Sequence, residues 1–286
     1  ALPICVEYAS GTKQNLDAMV KAGLNGMTMP RRFGGLNFPI TPYTMCAEIV
    51  AAADAGFGNI WSLQDCIETL YEFGNEDQHS RFIPRICAGE TMSMDLTEPD
   101  AGSDVFAMKT RAVRDGDHWV LNGTKLFITN GVHADLYFIA ARSGTARHAI
   151  SMFIVEKGTP GFSVGRSLEK TGWLSSDTAE LVFDNCRIPA ANLLGEQDKG
   201  FYSVMKNFQT ERIALAAMAV GHCTQALKMT LEYVRDRRAF GATLFDKQVV
   251  RQRLAMLDAK VRAARQYMYH CAWMVTQGRD VVQDVS

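Results

Sequence analysis

Charge of one sign is the first thing this sequence lacks. Its 30 Lys plus Arg stand against 31 Asp plus Glu, a formal net charge of -1 over 286 residues. With no basic field, nucleic acid is excluded as a partner. Long apolar runs are missing too. The longest, Ile213 to Gly221, has nine residues, against the ~20 that cross a bilayer, so no integral membrane segment is expected. Nor does a charged-then-apolar leader open the chain. Cysteine is sparse and its seven positions (5, 46, 66, 87, 186, 223 and 271) contain no Cys-x-x-Cys. An odd count in a chain this long speaks against a disulfide framework and for a reducing compartment, the bacterial cytoplasm or the mitochondrial matrix. Metal spacings are absent as well. His222-Cys223 and His270-Cys271 are sequential neighbours, about 100° apart on a helix, so neither pair can chelate one ion and no metal is expected. Gly56-Phe57-Gly58 lacks a third glycine because position 61 is Trp61, and no βαβ alternation follows. A Rossmann nucleotide site is disfavoured.

What is present is ordinary globular usage, 47% hydrophobic and 21% charged, arranged in three textures. Residues 1–91 read helical, with Ala-rich stretches cut by breakers at Pro30, Gly34-Gly35, Pro39 and Pro42. Over 92–195 the period changes to two. His118–Leu121 lies between Asp115-Gly116 and Asn122-Gly123, both hairpin-turn signals, and Lys125–Thr129 ends at Asn130-Gly131. Further strands are expected at 136–140, 151–155 and 180–183. From 196 to 286 the chain is helical again, with a second long helix expected over about 246–277. Residues 213–220 are apolar on every side, which predicts deep burial. The fold class is therefore multi-domain α and β: an N-terminal α-helical domain (1–91), a middle antiparallel β-barrel or sandwich (92–195) and a C-terminal α-helical bundle (196–286). A start at Ala1 and an end at Ser286 without a domain ending suggest a chain cut back at both ends.

Four places could carry chemistry. Glu211 and Arg212 interrupt the apolar helix, and as immediate neighbours they do not face each other. Each could find an ion partner across a helix interface; alternatively, Glu211 is a carboxylate in a dry pocket with a raised pKa suited to proton abstraction. The run Leu96–Asp104 mixes hydroxyls with Gly102, as an ordinary connecting loop does and as a loop that holds a flat polar ring or a phosphate does. Phe127 and Thr129, two apart on a strand, place an aromatic plane beside a hydroxyl, a pairing also routine in cores. Arg235, Arg237 and Arg238 precede a breaker, either as cations at a helix C-terminus or as a pyrophosphate clamp.

The order of these features decides more than any one of them. A helical segment, then Thr97-Glu98-Pro99-Asp100-Ala101-Gly102-Ser103-Asp104, then Phe127-Ile128-Thr129-Asn130-Gly131, then Ser175-Ser176-Asp177-Thr178, then Arg237-Arg238-Ala239-Phe240-Gly241 followed by Gln248 resembles the acyl-CoA dehydrogenase family over nearly the whole chain. The resemblance implies FAD as cofactor, held by the segment from Met94 to Ser103. Leu96 and Thr97 would lie at the pyrimidine part, and Gly102 and Ser103 near the phosphates and the CoA thioester arm. Phe127, Ile128 and Thr129 would flank the ring, with the Thr129 hydroxyl close to N5. Arg237, Phe240 and Gln248 match positions that reach the FAD of a neighbouring subunit, implying a homo-oligomer, usually a dimer of dimers. Ser103, Gln209, Thr210 and Arg212 would contact the acyl-CoA substrate. The implied reaction is α,β-dehydrogenation to the trans-2-enoyl-CoA, with electrons passed to an electron-transfer flavoprotein. The sequence departs from the commonest pattern in ending before a Y-E-G-T motif. It resembles instead the isovaleryl- and long-chain-type members, in which the base sits on the buried helix, the position of Glu211. Two alternatives on this scaffold are a flavin oxidase or monooxygenase (acyl-CoA oxidase or nitroalkane oxidase type) and a non-catalytic flavoprotein-like subunit.

Overall fold

The computed structural model describes residues 10–286; Cys5 lies outside the described residues, and among the described residues no two cysteines form a disulfide. The chain forms two compact units. The first comprises the described residues through Phe38 with Asn59–Phe208, and the second comprises Pro39–Gly58 with Gln209–Ser286.

The first unit is built on an eight-stranded sheet. Its strands are β1 (Met92–Asp95), β2 (Arg111–Asp115), β3 (His118–Thr129), β4 (Leu136–Arg142), β5 (Ile150–Glu156), β6 (Phe162–Ser167), β7 (Thr178–Pro189) and β8 (Leu193–Leu194). The order is β6-β7-β3-β2-β4-β5-β8, with β1 added beside β4. Most pairings are antiparallel. The exceptions run along one side of β4, where β1 pairs parallel with Leu136–Ile139 and β2 meets Arg142. β4 and β5 are buried from Leu136 to Ala141 and from Ile150 to Val155, because both faces are covered. Leu136, Phe138, Ala140, Met152 and Ile154 join a core with the helices α4 (Asp65–Phe73) and α5 (Glu76–Cys87). Tyr137, Ile139, Phe153 and Val155 face a second core with Trp119, Leu121 and Leu181. The N-terminus of α5 is closed by a capping box between Asn75 and Gln78, and the Gln78 amide also reaches the carbonyls of Ala191 and Leu193, both at 2.8 Å.

β3 corrects the expected hairpin at Asn122-Gly123. The strand runs straight through these residues, and its register with β7 slips between Leu121 and Gly123. Gly123 sits at φ 150°, where an added Cβ would lie 2.5 Å from Thr110 Oγ1, so the glycine serves close packing within the sheet instead of a turn. The Asp115-Gly116 signal does mark the β2–β3 hairpin. Pro42 likewise breaks nothing: it falls in the first turn of α2 (Ile40–Ala53), where its missing N–H has no helical partner to lose. The exposed edge strand β6 was not legible, because the alternation begun by Phe162-Ser163-Val164 stops at Gly165-Arg166.

The second unit joins α2 to the helices α6 (Gly200–Asp236, from Gln209 onward) and α7 (Gln248–Thr276). Gly221 of α6 lies against α2 so closely that a Cβ would stand 2.3 Å from the Glu48 carbonyl oxygen. The Glu48 carboxylate accepts from Arg265 Nε (2.8 Å) and the Tyr269 hydroxyl (2.7 Å), and Arg265 also donates to Thr224. The deep burial expected for 213–220 is only partial. Ile213, Ala214, Ala217 and Met218 are buried, whereas Leu215 is 43% exposed and Ala216 and Ala219 are exposed. Packing on one side buries an i, i+3, i+4 stripe, and apolar residues half a turn away stay outside it.

Candidate functional site

In the first unit, the functional geometry begins with a bulge. Between the pairs Lys125↔Leu181 and Ile128↔Ala179, β3 carries one residue more than β7. Phe127 absorbs it at φ 61°, a region disfavoured for an aromatic residue, and its ring stands 64% exposed. A strained, solvent-facing aromatic next to an ordered strand end is poor for folding alone and well placed to lie against a ligand. Ile128 turns inward at 2% exposure, which leaves only its main chain for a ligand. Thr129 faces outward again, and its Oγ1 accepts from Asn59 Nδ2 at 3.5 Å, the long end of a hydrogen bond, so its own proton stays available to donate.

The loop 96–103 is stitched to that bulge. Leu126 N–H donates to the Thr97 carbonyl at 2.9 Å, and Glu98 and Ala101 exchange two main-chain hydrogen bonds around Pro99-Asp100. Met94, Leu96 and Thr97 are partly buried on the way in, while Gly102 and Ser103 are exposed. A Cβ on Gly102 would meet nothing within 4 Å. Its backbone is therefore open to approach from outside.

Beneath the loop lies a cluster that sequence reasoning missed. Lys125 Nζ donates to Glu98 Oε1 at 2.8 Å and to the Leu96 carbonyl at 3.0 Å, and the two side chains are 0% and 4% exposed. Burial works against the Glu98 charge, but Lys125 and the N–H groups of Lys109 and Thr110 outweigh it and hold the carboxyl below its ordinary range. Burial in turn pulls the Lys125 ammonium down. The available signal was a lysine at a core-facing position of β3, in step with Trp119 and Leu121. Asn130, at φ 59°, ends the strand and donates to the Met92 carbonyl at 3.0 Å, tying β3 to β1.

Asp95 completes the cluster. It is wholly buried on β1, accepts from the Ser93 hydroxyl at 3.1 Å, and its Oδ1 has no hydrogen-bond partner among the described residues. Burial pushes its carboxyl up to about 8, against the pull of Ser93 and Lys125. A carboxyl near 3.8 in the unfolded chain and about 8 in the folded one keeps its proton only when folded, so stability falls as pH rises through that window. Asp95→Asn, which mimics the neutral acid, is expected to match the parent near pH 4. By pH 8 it should be more stable by about 1–3 kcal/mol, the usual scale for a buried group short of partners. Urea denaturation at both pH values checks this; an unchanged difference between them would show that Asp95 is ionised throughout.

In the second unit, Gln209, Thr210 and Glu211 are half-buried on α6, and Arg212 is exposed. Burial raises the Glu211 carboxyl above its ordinary range, with Arg212 pulling weakly the other way. No carboxylate–cation pair within 4.0 Å involves Glu211 among the described residues. After α6, Arg238-Ala239 (β9) and Ala242-Thr243 (β10) form a hairpin whose two turn residues, Phe240 and Gly241, both have positive φ (55° and 79°). Phe240 is 97% exposed at the tip, with Arg237 and Gln248 exposed nearby in sequence. The breaker expected at Gly241 is thus one half of a turn that presents an aromatic ring.

Residues 6–90, 93–186 and 198–286 match, in turn, the N-terminal, middle and C-terminal domains of acyl-CoA dehydrogenase. An acyl-CoA dehydrogenase of Bacillus subtilis (strain 168) is 37% identical over 278 residues, which cover 96% of this chain and 73% of that one. The chain belongs to the acyl-CoA dehydrogenase family. The mitochondrial isovaleryl-CoA dehydrogenase of Pongo abelii is 35% identical over 269 residues, covering 92% of this chain and 64% of that relative. The structure of butyryl-CoA dehydrogenase from Megasphaera elsdenii superposes with a TM-score of 0.93 at 33% identity, over 98% of this chain and 75% of that one. The helical, sheet and helical order expected from the sequence is the acyl-CoA dehydrogenase order. Acyl-CoA dehydrogenases are FAD-dependent oxidoreductases. The first unit fits a flavin: an exposed ring at Phe127, a hydroxyl donor at Thr129, and the open backbone at Gly102 offer stacking, polar contact and close approach. Among the described residues no helix is long and apolar enough to cross a membrane, and no cluster of metal-binding side chains occurs.

Proposed function

We propose that this protein oxidises an acyl-CoA thioester to the trans-2-enoyl-CoA and passes the electrons to an electron-transfer flavoprotein. Glu211 carries this reading: a half-buried carboxyl on α6, just ahead of the apolar run Ile213–Val220, held above its ordinary range by burial. Such a group suits a base that removes the α-proton of a thioester. In the first unit, Met94, Leu96, Thr97, Gly102, Ser103 and the strand end Phe127–Thr129 hold FAD, with Thr129 donating a hydrogen bond to the ring and Ile128 contributing its main chain. FAD held there would supply the hydride-accepting chemistry for the β-hydrogen. Ser103, Gln209, Thr210 and Arg212 contact the substrate. Arg237, Phe240 and Gln248 reach the cofactor of a second copy, which makes the working form a homo-oligomer, a dimer of dimers. The strained, fully exposed Phe240 supports that assignment, since a partner surface would offset both costs. Three domains, 1–91, 92–195 and 196–286, and a bacterial cytoplasmic or mitochondrial matrix location complete the proposal.

The acceptor separates this reading from a flavin oxidase or monooxygenase on the same scaffold. Steady-state turnover is measured with an acyl-CoA panel under air, alone and with an electron-transfer flavoprotein. Turnover that requires the flavoprotein is expected. Oxygen uptake with peroxide release in its absence would reassign the protein as an oxidase.

A further inference from the structure

A cavity of about 720 Å³ opens in the first unit, where β2, β4 and the loop after β4 meet. Its lining carries Arg111, Arg114, Arg142 and Arg147, with Ser143 and Thr145, and includes no carboxylate. Four guanidinium groups around one opening repel each other unless something anionic sits among them.

Arg142 has a structural duty. Its guanidinium donates to the carbonyls of Met108 (2.9 Å), Ala146 (3.2 Å) and Phe106, pinning the loops on either side of the opening. The other three are available. Arg114 gives its Nε to the Gly116 carbonyl at 2.7 Å and lies 5.5 Å from the Trp119 ring, and Arg147 lies 5.7 Å from the Phe106 ring. Stacking orients both side chains and leaves N–H groups free to donate. Arg111 is the register partner of Arg142 across β2 and β4, a like-charge pairing that ordinarily destabilises a sheet. None of the three forms an ion pair among the described residues, whereas Arg81, Arg85, Arg166, Arg187 and Arg265 all do. Asp198, next in sequence to Gln197 of the lining, accepts from the Ser143 hydroxyl at 2.5 Å.

We propose that this cavity is a binding site for a phosphate-bearing ligand, gripped by Arg111, Arg114 and Arg147. Planar guanidinium forks match phosphate oxygens in pairs, and the volume accommodates an ester of nucleotide size. A phosphate of the CoA substrate and a separate phosphate compound offer the same chemistry. The site goes beyond the oxidation reaction, because occupancy needs neither the base nor turnover.

Titration calorimetry of the intact protein with inorganic pyrophosphate, at low and high salt, is the test. One saturable site per chain is expected, weakening as salt rises. Arg111→Gln together with Arg114→Gln should weaken it at least tenfold, and the Lys versions of both should restore part of the loss. Titrations with CoA and with dephospho-CoA identify the source. CoA binding tighter than dephospho-CoA, with the difference lost in the Gln variant, assigns the site to the substrate's own phosphate. Equal binding of the two, undiminished by saturating pyrophosphate, assigns it to a separate anion. Failure to bind pyrophosphate, or binding unchanged in the Gln variant, would overturn the proposal whether or not the protein oxidises acyl-CoA.

Discussion

Lys125→Met is expected to destabilise the protein by about 3–5 kcal/mol, the scale for removing one partner of a buried ion pair. Glu98 would be left as a buried carboxylate with Lys109 and Thr110 N–H groups but no countercharge. Lys125 also holds the Leu96 carbonyl, so the loop 96–103 would loosen along with the pair. The variant should therefore lose flavin on dilution at a temperature where it is still folded. Adding Glu98→Gln should recover much of the stability, because a neutral side chain removes the stranded charge. Urea denaturation measures the first effect and flavin content after gel filtration the second. A cost below about 1 kcal/mol, or no recovery in the double variant, would show that the pair does not anchor the loop.

Glu211→Gln is expected to keep flavin and acyl-CoA binding while slowing flavin reduction roughly 10²- to 10⁴-fold, the usual contribution of a positioned base. Glutamine preserves length and shape and removes only the capacity to accept a proton. Because burial raises this carboxyl, the parent's reduction rate should rise with pH through a midpoint above the ordinary carboxylate range. The variant should lack that rise. Rapid-reaction absorbance under anaerobic conditions reads both effects, and binding titrations separate chemistry from affinity. Undiminished reduction in the variant would place the base at another carboxylate.

Much of this molecule was legible in its sequence because the signals are local. The apolar runs at 136–140 and 151–155 became β4 and β5, and the helix expected over about 246–277 became α7. Failures occurred where tertiary contact overrode a local signal. Asn122-Gly123 reads as a turn by itself, but with Thr110 packed against Gly123 the strand β3 runs straight through, and the extra residue of the register slip lies on β7. The run 213–220 reads as deeply buried, yet packing from one side leaves Leu215 outside. In the candidate site, Phe127 and Thr129 were visible as a motif, whereas the bulge that exposes Phe127 depends on the register of β7, a strand some fifty residues further on. Asp95, Glu98 and Lys125 went unnoticed because their meaning lies in one another, and only the fold brings β1, the loop and β3 together.

The most direct test is a visible absorption spectrum of the purified protein before and after anaerobic addition of an acyl-CoA panel. Flavin bands that bleach with at least one acyl-CoA, without bleaching in Glu211→Gln, are the expected result. Bands that persist across the whole panel, or a protein that carries no flavin at all, would contradict the assignment of this chain as an acyl-CoA-oxidising flavoprotein.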